Sequence, residues 1–248
     1  MKQIIFSTLL VVGTVVGFAA PVMADDVIDG RTGQNSVYRL VRPSNWNGIL
    51  VLYAHGYIAK DVPVAITEDD ELVISLLAPQ GFAVAVSSFD ENGWVIKDGT
   101  QRTHQLLGLF TSKFGKPARV YVGGASMGGL IAINLVETWP NEFAGLLPAC
   151  AVCGGLARQY DFMLNVRVLF DLFYPNVLPG TAIDVPEGID LNQDIAIPAI
   201  TAMTIDPTGA AAIAAIQQTP VEFANGPELI QSIATALGGA ATYPEVLA

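Results

Sequence analysis

The sequence predicts an α/β fold in which a mostly parallel sheet is flanked by helices and covered by a helical cap. Three observations support this prediction. Short apolar runs alternate with helical stretches over the first 155 residues, one strand–helix junction carries a G-x-S-x-G motif, and the strand pattern stops after Gly154-Gly155. Such alternation is typical of parallel strands that are joined by right-handed helical crossovers.

Strands are predicted where short apolar runs are bounded by turn residues. The alternating segment 36–42 predicts an edge strand, whereas nearly continuous apolar runs predict strands that are buried on both faces. The continuous runs are 48–54, 81–86, 119–122 and 143–152. The last of these is led by Gly145-Leu146-Leu147 and is the fourth expected parallel strand.

Helices are predicted between these strands from the spacing of apolar residues. The stretches with helical spacing are 70–80, 100–114 and 127–139. The last one stops at Pro140, because proline cannot continue a helix.

The pattern changes after Gly155. Helical spacing continues at 156–174, 208–217 and 227–237, and 197–205 is a weak strand candidate. The apolar content stays high, which favours a folded helical cap over a disordered tail. We therefore expect a signal peptide at 1–24, the N-terminal part of a core at 25–155, and a cap or lid at 156–248, with later core strands missing.

The G-x-S-x-G motif is Gly124-Ala125-Ser126-Met127-Gly128, and Gly129 follows it. A strand that turns abruptly into a helix forces the turn residue into a strained conformation and exposes its side chain at the top of the sheet. The flanking glycines remove Cβ atoms that would collide in so tight a turn. Ser126 is therefore the expected nucleophile, and the helix that begins near Met127 directs unpaired N–H groups towards it.

Acyl transfer at a serine also needs donors that stabilise the negative charge of the tetrahedral intermediate. The backbone N–H of Met127, directly after the nucleophile, is one predicted donor. The backbone N–H of Tyr57 is the other, because it lies in the loop after the strand at 48–54, where Gly56 permits close approach of the backbone to a substrate.

Two segments together resemble the α/β-hydrolase superfamily: Ala54-His55-Gly56-Tyr57 after one strand, and the serine motif after a later one. The resemblance covers roughly residues 36–155. The exported start and the broad cap are similar to those of secreted serine carboxylesterases, including feruloyl-esterase-like and prolyl-oligopeptidase-like hydrolases. The resemblance implies an acyl-enzyme at Ser126 and calls for no metal or cofactor.

The chain departs from the superfamily's order of nucleophile, acid and histidine. It has two histidines, His55 and His104, and neither follows Ser126. His55 belongs to the oxyanion-loop motif and is expected to hold that loop by hydrogen bonding, and His104 is expected on a helix surface. We therefore expect the chain as given to lack its general base, with the residues that activate Ser126 lying beyond Ala248, and no catalytic acid can be chosen.

Several residues are candidates for the pocket wall. His55, Asp90, Glu91 and Trp94 follow core strands at their carboxyl ends, where ligands bind in open α/β sheets, although 90–94 also fits an ordinary turn. Four aromatic residues of the cap line an apolar pocket or form the cap core: Phe162, Phe170, Phe173 and Tyr174.

The two cysteines form the sequence Cys150-Ala151-Val152-Cys153. Buried thiols or a local disulfide are expected. A metal site is disfavoured because the chain has no second pair of ligands, and redox catalysis is disfavoured because no thioredoxin-like helix follows.

The first residues predict export. Met1-Lys2 is a basic start, the next 15 residues from Ile4 are apolar or uncharged, and a run of small residues ends at Ala24. A membrane anchor is disfavoured because a span needs about 20 apolar residues. We expect a secreted or periplasmic protein with no stable membrane span after cleavage, and its net charge of −11 excludes nucleic acid as a partner.

Together these features predict a secreted serine hydrolase that cleaves a small-molecule or polymeric carboxylic ester through Ser126. A peptidase or amidase with the same machinery is one alternative. A catalytically inactive binding protein of the same fold is the other, and the lack of a downstream histidine favours it.

Overall fold

The computed structural model describes residues 25–218 and 226–247. The predicted signal peptide lies outside the described residues. Within them the chain forms six strands, which are β1 (Asp26–Arg31), β2 (Val37–Arg42), β3 (Ile49–Ala54), β4 (Ala83–Ser87), β5 (Arg119–Ala125) and β6 (Gly145–Ala149). It also forms eight α-helices, which are α1 (Glu68–Leu77), α2 (Ile96–Phe114), α3 (Met127–Thr138), α4 (Leu156–Phe173), α5 (Ile197–Ile205), α6 (Pro207–Ile216), α7 (Gly226–Ala241) and α8 (Tyr243–Leu247).

The strands form one mixed sheet in the order β1-β2-β4-β3-β5-β6. Strands β4, β3, β5 and β6 are parallel, whereas β1 and β2 pair antiparallel at one side. The predicted fold class, a mostly parallel sheet flanked by helices, is confirmed.

The segment 36–42 is not the edge strand that its alternation suggested. It lies between β1 and β4, and β1 takes the edge. The sequence of β1 is charged, and its carboxylates bind the arginines of β2: Asp29 pairs with Arg39, and Asp26 pairs with Arg42. Ion pairs and the backbone ladder bind this edge strand to β2, and Ile28 packs against the sheet core, but no alternating apolar pattern runs along the strand, so apolar periodicity did not reveal it.

The weak strand candidate at 197–205 is also corrected, because this segment is helix α5. Its apolar and β-branched residues resemble a strand, but its buried residues, Ala199 and Met203, are four positions apart and share one helix face. A π-helical turn, Leu191–Ala196, leads into it, and Asp190 caps that turn by accepting hydrogen bonds from two backbone N–H groups.

Two apolar cores hold the molecule together. The first lies between the sheet and helices α2 and α3, where Leu50, Leu52 and Ala54 of β3 are fully buried. The second lies among α4, α5, α6 and α7, where Phe170 and Leu237 are fully buried. This second core shows that the segment after Gly155 packs as a helical body.

The described residues contain no single helix that is both long and apolar enough to cross a membrane. One pair of consecutive segments, Leu191–Ile205 and Pro207–Ile216, meets the length and composition test together, but it bends by 104° at the break.

Candidate active site

Ser126 lies at the junction between β5 and α3, with φ 54° and ψ −118°. Its backbone N–H donates to the carbonyl oxygen of Ala149 at the end of β6, at 3.0 Å. Both glycines of the motif are required, because a side chain at either position would collide with neighbouring backbone atoms. A Cβ at Gly124 would overlap the carbonyl oxygen of Gly128 and lie 2.8 Å from that of Ala54, and a Cβ at Gly128 would overlap the carbonyl of Ala54.

The His-Gly loop lies against this elbow. Strand β3 ends at Ala54, which is in register with Gly124 of the neighbouring β5. A Cβ at Gly56 would lie 3.4 Å from the carbonyl oxygen of Ala125 and 3.6 Å from Cβ of Ser126. The carboxyl ends of the parallel strands therefore bring the loop before Tyr57 into contact with the nucleophile turn.

Met127 is the first residue of α3 and is fully buried. Its N–H has no acceptor within the helix, because the first four N–H groups of any helix lack an intrahelical partner. The N-terminus of α3 thus supplies a backbone donor next to the Ser126 side chain.

A cavity of about 530 Å³ opens at Ser126 between the sheet and the cap. Its volume is within the range of small-molecule sites. Its walls are apolar, aromatic or uncharged polar side chains and two glycines. The lining residues are Tyr57, Trp94, Ser126, Cys150, Val152, Gln159, Met163, Leu191, Thr235, Gly238, Gly239 and Thr242.

Three aromatic rings pack in a row along one wall of the cavity, between the loop that carries Tyr57 and the cap. The Trp94 ring lies 5.4 Å from the Tyr57 ring and 5.8 Å from the Tyr160 ring, between centroids. Trp94 Nε1 donates to Thr242 Oγ1 at 3.0 Å, and Tyr160 Oη lies 2.8 Å from the same hydroxyl. This wall is therefore fixed by packing and by hydrogen bonds at its cap end.

Glu245 of α8 holds the Tyr57 side chain, because the Tyr57 hydroxyl donates to Glu245 Oε1 at 2.7 Å. Burial, and then this hydrogen bond, raise the pKa of the Tyr57 phenol well above its usual value. The phenol therefore stays protonated at neutral pH and cannot serve as a base for Ser126.

His55 does not line the cavity. Its ring is 2% exposed, stacks on Phe89 at 4.1 Å, and donates from Nδ1 to the carbonyl oxygen of Gly56 at 2.7 Å. Its Nε2 is buried and has no hydrogen-bond partner among the described residues. His55 holds its own loop through the hydrogen bond to Gly56, as one interpretation of the sequence predicted, but it does not have the pocket position that the other interpretation predicted.

Asp90 and Glu91 also lie outside the cavity, contrary to our prediction. Asp90 accepts hydrogen bonds from the backbone N–H groups of Asn35 and Ser36 and pairs with Arg102, so it fastens its loop to the start of β2. Glu91 is exposed. Among the four predicted wall residues, Trp94 is the one that the structure places in the cavity.

The second histidine makes its contacts away from the cavity at Ser126. His104, on α2, stacks on Trp139 with 3.7 Å between ring centroids, and its Nε2 lies 2.8 Å from Glu142 Oε2. Neither histidine of the chain therefore lines the cavity.

Both cysteines are free and exposed, so they are neither the buried thiols nor the disulfide that we expected. Cys150 lies one residue beyond β6, with φ 47°, and lines the cavity beside Ser126. The described residues contain no group of three or more histidine, cysteine, aspartate or glutamate side chains that could hold a metal ion.

Sequence reasoning missed the cap side of the cavity. The predicted aromatic candidates Phe170 and Tyr174 belong to the cap core, and Phe162 is 43% exposed. The cap wall comes instead from α4 and from one face of α7. The prediction ended this helix at 237, whereas α7 continues through Gly238-Gly239 to Ala241, and glycine inside a helix is unfavourable unless packing or function requires it.

No protein-family model matches this chain, and no curated protein matches it in sequence. Solved structures match it at low identity. The Francisella virulence factor BioJ is 16% identical over 50% of this chain and 42% of its own, with a TM-score of 0.40. An esterase from Pyrococcus furiosus is 18% identical over 61% of this chain and 56% of its own, with a TM-score of 0.44. A proline iminopeptidase from Mycobacterium smegmatis is 13% identical over 88% of this chain and 69% of its own, with a TM-score of 0.44.

The chain spans about half the length of the virulence factor and of the esterase. Because the TM-scores are low, the fold assignment rests on the chain itself. A serine at positive φ between a central parallel strand and a helix, with the His-Gly loop of the neighbouring strand against it, has the strand–turn–helix geometry of the serine turn in an α/β-hydrolase sheet. The chain has the α/β-hydrolase fold.

Proposed function

We propose that this protein is a serine hydrolase that cleaves carboxylic esters through an acyl-enzyme at Ser126. The observation that carries the proposal is the position of Ser126. Its strained backbone holds the side chain at the carboxyl end of the parallel sheet, at the mouth of a cavity of about 530 Å³. Strain of this kind persists where the surrounding structure enforces it and is concentrated at functional sites.

In the proposed reaction, Ser126 Oγ forms a bond to the ester carbonyl carbon, its hydroxyl proton passes to solvent water, and the carbonyl π electrons move to oxygen. The backbone N–H groups of Met127 and Tyr57 stabilise that oxyanion. Collapse of this intermediate breaks the bond to the alcohol oxygen, which keeps the electron pair, takes up a proton from solvent and leaves as the alcohol. Water then attacks the acyl-enzyme and gives one proton to solvent. A second collapse breaks the bond to Ser126 Oγ, which takes up a proton, so the carboxylic acid is released and Ser126 is regenerated.

Esters are favoured over amides by the groups around the cavity. An amine leaves only after protonation, which a histidine performs in serine peptidases. Neither His55 nor His104 lines the cavity, and Tyr57 already donates its proton to Glu245. An alcohol or phenol is a better leaving group, so an ester needs less help from a general acid.

The lack of a histidine at the cavity favours a second candidate function, which is an inactive protein that binds a small molecule in the cavity. Removal of the base from a serine hydrolase leaves only the acceleration given by the oxyanion donors and by binding. The two functions differ in whether Ser126 becomes acylated.

Labelling with a fluorophosphonate probe separates the two functions. We expect covalent modification of the parent protein and of the control Ser112→Ala, which removes an exposed hydroxyl of α2, and no modification of Ser126→Ala. Intact mass measurement reads the result. If the parent is unlabelled at millimolar probe while its thermal unfolding is normal, the hydrolase proposal is wrong and the binding function is favoured.

We also propose that the protein is exported, because residues 1–24 combine a basic start, an apolar run and a small-residue cleavage site. The mature protein should begin at Asp25. Mass spectrometry of the protein recovered outside the cytoplasm checks this, and protein that still carries residues 1–24 in that fraction would contradict it.

A further inference from the structure

One face of α7 forms the cap side of the cavity. Its residues are Thr235, Gly238 and Gly239, and Thr242 follows directly after the helix at the same spacing. Positions separated by three, four and seven residues lie on one side of a helix, so this face is a continuous stripe along the cavity.

The two adjacent glycines of this stripe have different surroundings. A Cβ at Gly239 would overlap the sulfur of Met163, so Gly239 lets α7 pack closely on α4. A Cβ at Gly238 would meet no atom within 4 Å. Because Gly238 lines the cavity, the space over it is cavity space, and the missing side chain keeps that space open.

The residues that form the other walls of the cavity indicate which ligand chemistry this space would accept. Across the cavity lie the rings of Tyr57 and Trp94, and further contacts come from Val152, Met163 and Leu191. None of the described residues that line the cavity carries a charged side chain. The chain has a net charge of −11, which repels anionic ligands at long range. An uncharged apolar chain therefore fits these walls best.

We propose that the cavity binds the apolar acyl chain of an uncharged ester, and that Gly238 sets the longest acyl chain that it accepts. This inference rests on the proposed function, since the bound chain must present its carbonyl carbon to Ser126. A side chain at position 238 projects into the volume that a long acyl chain occupies and leaves the site at Ser126 free for a short one.

The acyl-chain series tests the proposal directly. Hydrolysis of 4-nitrophenyl acetate, butyrate and octanoate is compared for the parent, Gly238→Ala and Gly238→Leu. We expect kcat/KM for octanoate to fall by about tenfold or more in Gly238→Leu, because one methylene group in an apolar pocket changes the rate by roughly 10-fold to 200-fold. Acetate hydrolysis should change by less than about twofold, and Gly238→Ala should fall between the parent and Gly238→Leu.

Gly108→Leu is the matched control. Gly108 lies inside α2 and is exposed, and a Cβ there would also meet no atom within 4 Å, but this glycine is not part of the cavity. Its chain-length profile should equal that of the parent. Thermal unfolding confirms that each variant is folded, and Gly238→Ala keeps the test valid if leucine is not tolerated. An unchanged octanoate-to-acetate ratio in folded Gly238→Leu would overturn the proposal.

A binding measurement separates this inference from the esterase proposal. The uncharged probe 1-octanol should perturb the fluorescence of Trp94 in the parent and in Gly108→Leu, and should have a much weaker effect in Gly238→Leu. The Trp94→Phe variant shows which part of the signal comes from the cavity. If Ser126 is unlabelled but octanol binding depends on Gly238, the esterase proposal fails and the role of Gly238 stands. If octanol binds equally to the parent and Gly238→Leu, the role of Gly238 fails whatever the activity.

Discussion

Ser126 has positive φ, which costs an L-residue about 1–3 kcal/mol and persists only under strong constraint. Three neighbours provide that constraint. The backbone N–H of Ser126 donates a hydrogen bond to the carbonyl oxygen of Ala149. Gly124 and Gly128 let the carbonyl groups of the turn and of β3 approach closely, because no Cβ atom lies between them. Ser126 is therefore positioned by backbone contacts, and the identity of two glycines decides whether those contacts are possible.

The first prediction concerns Gly128→Ala. The added methyl group would overlap the carbonyl of Ala54, which is backbone and cannot rotate away. Overpacking of this kind costs about 1–3 kcal/mol, so we expect lower thermal stability together with loss of probe labelling at Ser126. Calorimetry and labelling of the same samples measure both effects.

Gly108→Ala is the control for this prediction, because it adds the same methyl group at an exposed position inside helix α2. There alanine should stabilise the protein by about 0.5–1 kcal/mol through helix propensity. If Gly128→Ala is as stable and as reactive as Gly108→Ala, the steric account of the elbow is wrong.

The second prediction concerns the proton acceptor for Ser126, since no histidine is found among the described residues that line the cavity. Neither histidine lines the cavity, and a positioned general base contributes about 10²–10⁴-fold to such reactions. Imidazole added to the solution should therefore raise the Ser126-dependent rate of ester hydrolysis. The rate should follow the concentration of neutral imidazole, because only the neutral form accepts a proton, and so it should grow as the pH rises through the pKa of imidazole.

Ser126→Ala measured at each imidazole concentration gives the background reaction of imidazole with the ester. The difference between the two proteins is the rescued rate. A difference that does not rise with imidazole would show that the proton of Ser126 is already accepted by a group of this protein.

At the level of elements, α1 begins with a capping box that also contains a buried charge. Thr67 Oγ1 accepts from the backbone N–H of Asp70, and Asp70 Oδ2 accepts from the backbone N–H and the hydroxyl of Thr67. The Asp70 side chain is fully buried, and its Oδ1 has no partner among the described residues. Burial raises the pKa of Asp70, and the nearby His55 opposes this effect in part.

The third prediction follows from the sign of that shift. A carboxyl whose pKa is raised in the folded state favours folding below its unfolded pKa of about 3.9, and this contribution is lost as the pH rises through the folded pKa. Asp70→Asn keeps an oxygen that can accept from Thr67 and removes the charge. We expect the Tm of Asp70→Asn minus that of the parent to increase from pH 3 to pH 7.

The exposed neighbour Asp69 supplies the control, because Asp69→Asn removes a charge from the same turn without removing a buried one. Its Tm difference from the parent should stay nearly constant over this range. A Tm difference for Asp70→Asn that falls as the pH rises would instead show that attraction between Asp70 and His55 outweighs the burial of the charge.

At the scale of the whole molecule, one face of the sheet carries an apolar cleft among the described residues. A cleft of about 760 Å³ lies on the face away from α2 and α3, and apolar residues of β3, β5, β6 and α1 line it. Within the described part of the chain β6 is the last strand of the sheet, and its Leu147 is 72% exposed. Exposed strand edges and large apolar patches promote association between molecules.

The fourth prediction is that this face drives self-association, and that Leu147→Lys weakens it. Light scattering over a concentration series should show a smaller mean mass for the variant. The added positive charge reduces the net charge of −11, which by itself would favour association, so a decrease must come from the lost apolar contact.

Leu172→Lys is the comparison, since Leu172 is 70% exposed on helix α4 and does not line the cleft. It should have a weaker effect than Leu147→Lys. Equal masses for the two variants at every concentration would contradict a specific role of the β6 face.

The sequence predicted those elements whose signals are local. Helix α3 and strand β5 follow from apolar spacing around the serine motif, and α2 was predicted four residues short at its start. Strand β1 was missed because charge pairing with β2 holds it, and α5 was read as a strand because its apolar run is short and β-branched. For the site, the same local signals pointed to Ser126, Met127 and the loop of Tyr57, but not to the positions of His55 and Asp90.

The chain by itself determined the alternation of parallel strands and helices, the serine turn and the absence of a histidine after Ser126 in the given sequence. These are properties of neighbouring residues or of composition. The tertiary structure alone decided what surrounds Ser126. Packing of α7 against α4 brings Gly238 and Thr242, more than 110 positions further along the chain, to the wall of the Ser126 cavity. Tertiary packing also buries the His55 ring against its own loop. Such contacts depend on how helices pack across long sequence separations, and no local pattern of residues records them.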